Sequence, residues 1–142
     1  MPKVHLLFAL AVACSAAAVT ASAQSPSIAK GSRLFEMRTY VAAPGKFEEL
    51  HARFRQHTNK LFVKHGMTIV GYWVPTEKGQ GAENTLVYIL AYPDGEAREK
   101  AWKAFAADPA WVEAKRASEV NGKLTEKVES VFLKATDYSP LK

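Results

Sequence analysis

Thr85-Leu86-Val87-Tyr88-Ile89-Leu90-Ala91-Tyr92 is the stretch that decides the architecture. It is rich in β-branched and aromatic residues and is closed by the turn Pro93-Asp94-Gly95, so it predicts a strand. Alternate side chains of a strand point to opposite faces. One face then carries Val87, Ile89 and Ala91, and the other Leu86, Tyr88, Leu90 and Tyr92. Both faces are apolar, so both sides of the sheet holding this strand need a cover.

Reading outward, Leu34 to Val41 predicts a first strand, ended by Ala42-Ala43-Pro44-Gly45. Lys46 to His65 predicts a helix. At 100° per residue, Phe47, Leu50, His51, Phe54, Thr58, Leu61, Phe62 and His65 fall within an arc of roughly 120°, one core-facing stripe. Charged residues, Arg53 among them, cover the rest, and Gly66 stands where a helix stops. Met67 to Val74 predicts the second strand and Thr76 to Asn84 a polar loop. After the deciding strand comes a helix over Glu96 to Ala106, carrying Ala97, Ala101, Trp102 and Phe105. Asp108-Pro109 restarts it, with aspartate as cap and proline in the first turn. Thr125 to Ala135 predicts the last strand. The order βαββαβ predicts an α+β domain over residues 34–142: a ferredoxin-like antiparallel sheet, first and third strands central, helices on one face.

Only one apolar face is covered by those helices. The second strand repeats the two-faced pattern, with Ile69 and Trp73 against Val70, Tyr72 and Val74. The economical cover for the free face is a second copy, sheet against sheet. The expectation is a homodimer enclosing a barrel-like space. In the first strand, Phe35, Met37, Thr39 and Val41 suit the helix side. Leu34, Glu36, Arg38 and Tyr40 are then expected to face the space between the two sheets. Glu36 and Arg38 either pair to fix register, or Arg38 and Tyr40 bind an anionic or polar ligand among aromatics; Glu36, Arg38, Tyr40, Tyr72, Tyr88, Tyr92 and His65 are the candidate cavity residues.

The 142-residue chain is 48% hydrophobic and 23% charged, ordinary globular usage that excludes a disordered chain and a polytopic membrane protein. Residues 1–23 read as a signal peptide: Lys3, an apolar run from Val4 to Ala13, and Ala21-Ser22-Ala23 before Gln24. Residues 24–33 read as a linker by composition. The expected location is exported, periplasmic or secreted. The alternative is a lipoprotein anchored through Cys14, after the loosely lipobox-like Ala11-Val12-Ala13. No transmembrane span is expected in the mature chain.

Several pieces then fall in a recognisable order. Phe35-Glu36-Met37-Arg38-Thr39-Tyr40 opens the domain and Pro44-Gly45-Lys46 turns into the first helix. His65-Gly66 precedes Val70-Gly71-Tyr72-Trp73, Asp108-Pro109-Ala110-Trp111 restarts the second helix, and Ser139-Pro140-Leu141 closes the chain. In these the chain resembles the NIPSNAP family of the dimeric α+β barrel superfamily, with Phe35 in place of the family's usual first tyrosine. The resemblance spans Leu34 to Leu141. It implies a dimer of ferredoxin-like units but no settled activity and no catalytic set. The export signal departs from the family's better-described intracellular members.

Chemical motifs are sparse. GxGxxG, Walker, HExxH, GxSxG and CxxC patterns are absent. Cleavage after Ala23 leaves no cysteine and three histidines: His51, His57 and His65. Their spacing makes no helical metal pair, so no metal is expected. A histidine on an apolar face is most often a hydrogen-bonded core residue. The functional alternative for these residues is a haem ligand or an acid–base group at a cavity mouth. Basic residues alternate with glutamates on a solvated helix face, which points away from nucleic acid. Two functions follow. The first is a non-catalytic homodimeric binding module for a small molecule or a protein, with no cofactor. The alternative is a small oxygenase or isomerase, cofactor-free or haem-dependent, using the barrel cavity.

Overall fold

The computed structural model describes residues 27–142; the expected signal peptide, Cys14 and the first residues of the expected linker lie outside them. Strand β1 spans Leu34–Ala42. A continuous helical rod follows, made of α1 (Phe47–Arg53), one wide turn (Phe54–Thr58) and α2 (Asn59–Lys64). Strand β2 spans Thr68–Trp73 and β3 Thr85–Tyr92. Helices α3 (Gly95–Ala107) and α4 (Pro109–Ser118) lead to β4 (Thr125–Lys134). The sheet order is β2-β3-β1-β4, every pair antiparallel, with β3 and β1 central. This is the expected α+β, ferredoxin-like arrangement.

The rod buries Leu50, Phe54, Thr58, Leu61 and Phe62, the stripe its spacing predicts. In its wide turn the Asn59 N–H bonds the Phe54 carbonyl five residues back. Such turns often sit beside functional sites. Gly66 ends the rod at φ 78°, a conformation that favours glycine. Arg53 departs from its predicted solvent position. Its guanidinium donates to Glu119 at 2.8 Å and lies 5.3 Å from the Trp111 ring, because α4 packs along that flank. Asp108 caps α4, accepting from the Ala110 N–H at 2.9 Å, as its place before proline predicts.

The strand faces are opposite to the expectation for β1. Leu34, Tyr40, Leu86, Tyr88, Leu90 and Tyr92 join Leu50, Phe54, Phe62 and Phe105 in the core between sheet and helices. Glu36, fully buried, lies on this same side, bonded to side chains of α3. Arg38 and Tyr40 follow it there. Phe35 instead packs with Val70, Ile89, Ala91 and Ala135 on the other side, and Met37, Thr39 and Val41 alternate with it. The β2 pairing is also changed by a bulge between Ile69 and Gly71. Ile69 and Tyr72 go under the helices, while Val70 and Trp73 go to the outer side. Glycine at 71 leaves room for the Trp73 ring, which would lie 2.9 Å from a Cβ there.

The sheet's outer face carries no covering element among the described residues over most of its area. Trp73, Val131 and Leu133 are exposed there beside half-buried Met37, Val87 and Ile89. At one end the C-terminal tail reaches it: Ser139 and Leu141 line a small cavity of about 180 Å³ with Phe35, Val70 and Leu133. Residues 27–33, expected as linker, are hydrogen-bonded to the end of β4. Ala29 N–H donates to the Ala135 carbonyl at 2.9 Å, and Ala135 N–H to Ser32 Oγ at 2.9 Å.

Candidate functional site

The most unusual group in the molecule is a carboxylate with no solvent exposure in the middle of a central strand. Glu36 is held in β1 opposite Leu90 of β3 and Phe132 of β4. A buried charge survives only if paired and hydrogen-bonded. Glu36 is both. Arg38 Nη1 donates to Oε1 at 2.6 Å, Arg98 Nη2 to Oε1 at 2.9 Å and Arg98 Nε to Oε2 at 3.1 Å. Tyr92 OH and Trp102 Nε1 donate to Oε2 at 3.0 and 3.2 Å. Burial alone would raise its pKa, but the bonds from Arg98 and Arg38 prevail and lower it to about 2. Glu36 is a permanent anion at neutral pH.

Arg98 and Trp102 stand four residues apart on α3, on one helix face, and so both reach down to Glu36. Asp94 caps this helix, accepting from Ala97 N–H at 2.8 Å, and fixes where its first turn begins. The Trp102 ring also lies 4.4 Å from the Arg38 guanidinium, a cation–π contact. Arg98 reaches the exposed Phe132 ring on β4 at 5.3 Å.

Beyond Arg38 the layer is aromatic. Tyr40 meets Tyr88 edge-on at 5.3 Å and Phe54 at 5.9 Å; Tyr72 lies 5.6 Å from Tyr88 and 5.7 Å from Phe54. Each such contact adds about 1 kcal/mol beyond area burial. Tyr72 OH donates to Asn59 Oδ1 at 2.7 Å, just after the wide turn of the rod. Burial raises the pKa of Tyr72, Tyr88 and Tyr92, so all three are neutral phenols with a proton to donate. In this network two atoms are buried without a hydrogen-bond partner: Arg38 Nε and the Tyr88 hydroxyl. Arg38 and Tyr40 are the polar neighbours of that hydroxyl.

The two edges of the layer differ. At the β2 edge, His51, Phe54, Arg55, Asn59 and Tyr72 line a cavity of about 320 Å³, within the range of small-molecule sites. At the β4 edge, Val128, Ser130 and Phe132 share the helix side with Tyr40, Arg38 and Glu36, their cross-strand partners, yet all three are exposed. The helices stop short of this strand.

The structure therefore gathers six of the seven candidate residues, Glu36, Arg38, Tyr40, Tyr72, Tyr88 and Tyr92, into one layer. It places them between the chain's own sheet and helices rather than on the outer face of the sheet. His65 is elsewhere, at the end of α2, with Nε2 2.7 Å from Asp108 Oδ2. Lys64 Nζ donates to the same oxygen at 2.6 Å, and these two contacts hold the Asp108 carboxyl well below the usual carboxylate range. With Nε2 committed to Asp108, His65 does not present that nitrogen to a haem iron. His51 lines the β2-edge cavity and His57 is exposed. Sequence reasoning missed Arg98 and assigned Trp102 only to the core. The available signal was their four-residue spacing, which puts a cation on the buried stripe with Ala101 and Phe105.

Residues 35–140 match the NIPSNAP family. Among solved structures, a NIPSNAP family protein of unknown function from Agrobacterium tumefaciens superposes with a TM-score of 0.69 at 23% identity, over 81% of this chain and 99% of that one. An uncharacterised NIPSNAP domain protein from Burkholderia xenovorans gives 0.63 at 29% identity, over 75% and 98%. A second Agrobacterium tumefaciens NIPSNAP family protein gives 0.68 at 24%, over 80% and 94%. No curated protein matches the chain.

Proposed function

The chain belongs to the NIPSNAP family, and on that premise we propose that it is an exported homodimeric binding module that holds a small molecule in its helix–sheet layer without transforming it. The observation that carries this is the pair of buried donors, Arg38 Nε and Tyr88 OH, left without partners in an otherwise bonded polar network. Buried donors are normally satisfied, and each one left bare costs about 1–3 kcal/mol. A bound molecule that accepts from them removes that cost.

The same network argues for binding rather than acid–base catalysis. Glu36 stays ionised down to about pH 2, and burial keeps the phenols of Tyr72, Tyr88 and Tyr92 protonated. A general acid or base works best with a pKa near the working pH, and these groups are far from it. No resident cofactor enters this reading.

Export rests on the pattern of residues 1–23, and cleavage would start the mature protein at Gln24; a Cys14 lipid anchor is the competing fate. No helix among the described residues is long and apolar enough to cross a membrane. Dimerisation rests on the apolar outer face. The binding role is tested by thermal melts of the purified protein against a panel of small organic molecules, acids, bases and neutral compounds alike. At least one class should raise Tm by a few degrees; a panel that moves nothing would remove the binding role.

A further inference from the structure

Two arginines share one carboxylate in the helix–sheet layer. Arg38 and Arg98 both donate to Glu36, and no other carboxylate bonds either of them among the described residues. The cluster therefore carries one uncompensated positive charge in a half-buried setting, where a counter-charge is worth more than in water. Its unspent donor is the Nε edge of Arg38, next to the neutral Tyr88 phenol. Arg38 keeps 13% of its side chain exposed, and its cross-strand partner on β4, Ser130, is exposed. There Phe132, 54% exposed under Arg98, and Val128 offer an apolar shelf beside the charge.

Resting on the binding role proposed above, we propose that the ligand is a small organic monoanion, a carboxylate with an apolar or aromatic body, entering at the β4 edge. Its carboxylate accepts from Arg38 Nε and Tyr88 OH and neutralises the surplus charge. Its body lies on Phe132 and Val128. A dianion overcompensates the single charge, and a neutral isostere leaves it bare.

The test compares benzoate and phenylacetate with benzamide and benzyl alcohol, by thermal shift and by calorimetric titration of the intact protein. Both carboxylates should raise Tm and bind at least about tenfold more tightly than the neutral compounds, as charge-assisted bonds require. Tyr88→Phe separates ligand contact from structure. In the free protein it removes a hydroxyl that has no partner, so its Tm should stay level or rise; its benzoate shift should fall sharply. Arg98→Gln removes the surplus charge while Glu36 keeps Arg38, Tyr92 and Trp102, and should likewise weaken benzoate binding by about tenfold or more. Equal shifts from benzoate and benzamide would overturn the anion while leaving a binding role in place. No shift from either acids or neutral compounds would overturn both. A full benzoate shift retained in Tyr88→Phe and Arg98→Gln would overturn this location.

Discussion

Glu36 is the residue on which the polar layer is built. Five hydrogen bonds from four side chains converge on it, and they lower its pKa from 4.5 to about 2. A carboxyl whose pKa is lower folded than unfolded stabilises the fold above its unfolded value. The contribution is complete above pH 4.5, declines below it, and is lost as pH falls through about 2. Its size is on the order of 3 kcal/mol. Glu36→Gln keeps the shape but leaves Arg38 and Arg98 without their anion. Urea unfolding at pH 7 should show the variant about 3 kcal/mol less stable, a difference that shrinks steadily below pH 4.5. A deficit of the same size at pH 7 and pH 2.5 would mean that the charge of Glu36 is not what holds the layer.

At the scale of elements, the α3–α4 junction shows one residue serving two ends. Asp108 caps α4 with Oδ1 and holds Lys64 and His65 at the end of α2 with Oδ2. Its pKa is depressed by Lys64 and His65, so this anchoring is present above the ordinary carboxylate range and fades in acid. Asp108→Asn keeps a good cap but loses the charge, and Asp108→Ala loses both. Thermal melts at pH 7 should rank wild type above Asp108→Asn above Asp108→Ala. Equal Tm for the two variants would show that the cap contributes nothing. These ends were legible beforehand, because Asp-Pro and Gly66 act through local backbone rules. All four strands and both helical regions were legible for the same reason. Which face of β1 meets the helices was not. Alternation says that Glu36, Arg38 and Tyr40 share a face; it does not say where that face points. That is settled by Arg98 and Trp102, 62 and 66 residues on, reaching Glu36 from α3. The β2 bulge likewise puts Ile69 on the face of Tyr72 and Val70 on that of Trp73, through a backbone irregularity that no side-chain period announces. Arg53 is buried by a tertiary neighbour, α4, which helical periodicity alone does not see.

At the scale of the whole molecule, the inversion of β1 leaves the apolar outer face standing and takes the charges off it. With Glu36 and Arg38 turned inward, the centre of that face is Met37, paired across the sheet with Ile89 on one side and Val131 on the other. Polar groups lie towards one end, where Lys127 and Glu129 pair with Val41 and Thr39. An apolar centre with a polar margin is the anatomy of a protein interface. The C-terminal tail lies at the other end, so a second copy related by a two-fold axis is the proposed cover for the remainder. Met37→Glu tests this without touching the core. In a lone subunit the new carboxylate would point to water from a half-buried position and cost little. In a two-fold dimer each copy would bring one, and both would be desolvated together at the centre of the interface. Light scattering should give twice the subunit mass for the wild-type protein and one subunit mass for Met37→Glu, with the circular dichroism spectrum unchanged. A wild-type protein that runs as a single subunit, or a variant that remains a dimer, would show that the outer face is not where two copies meet.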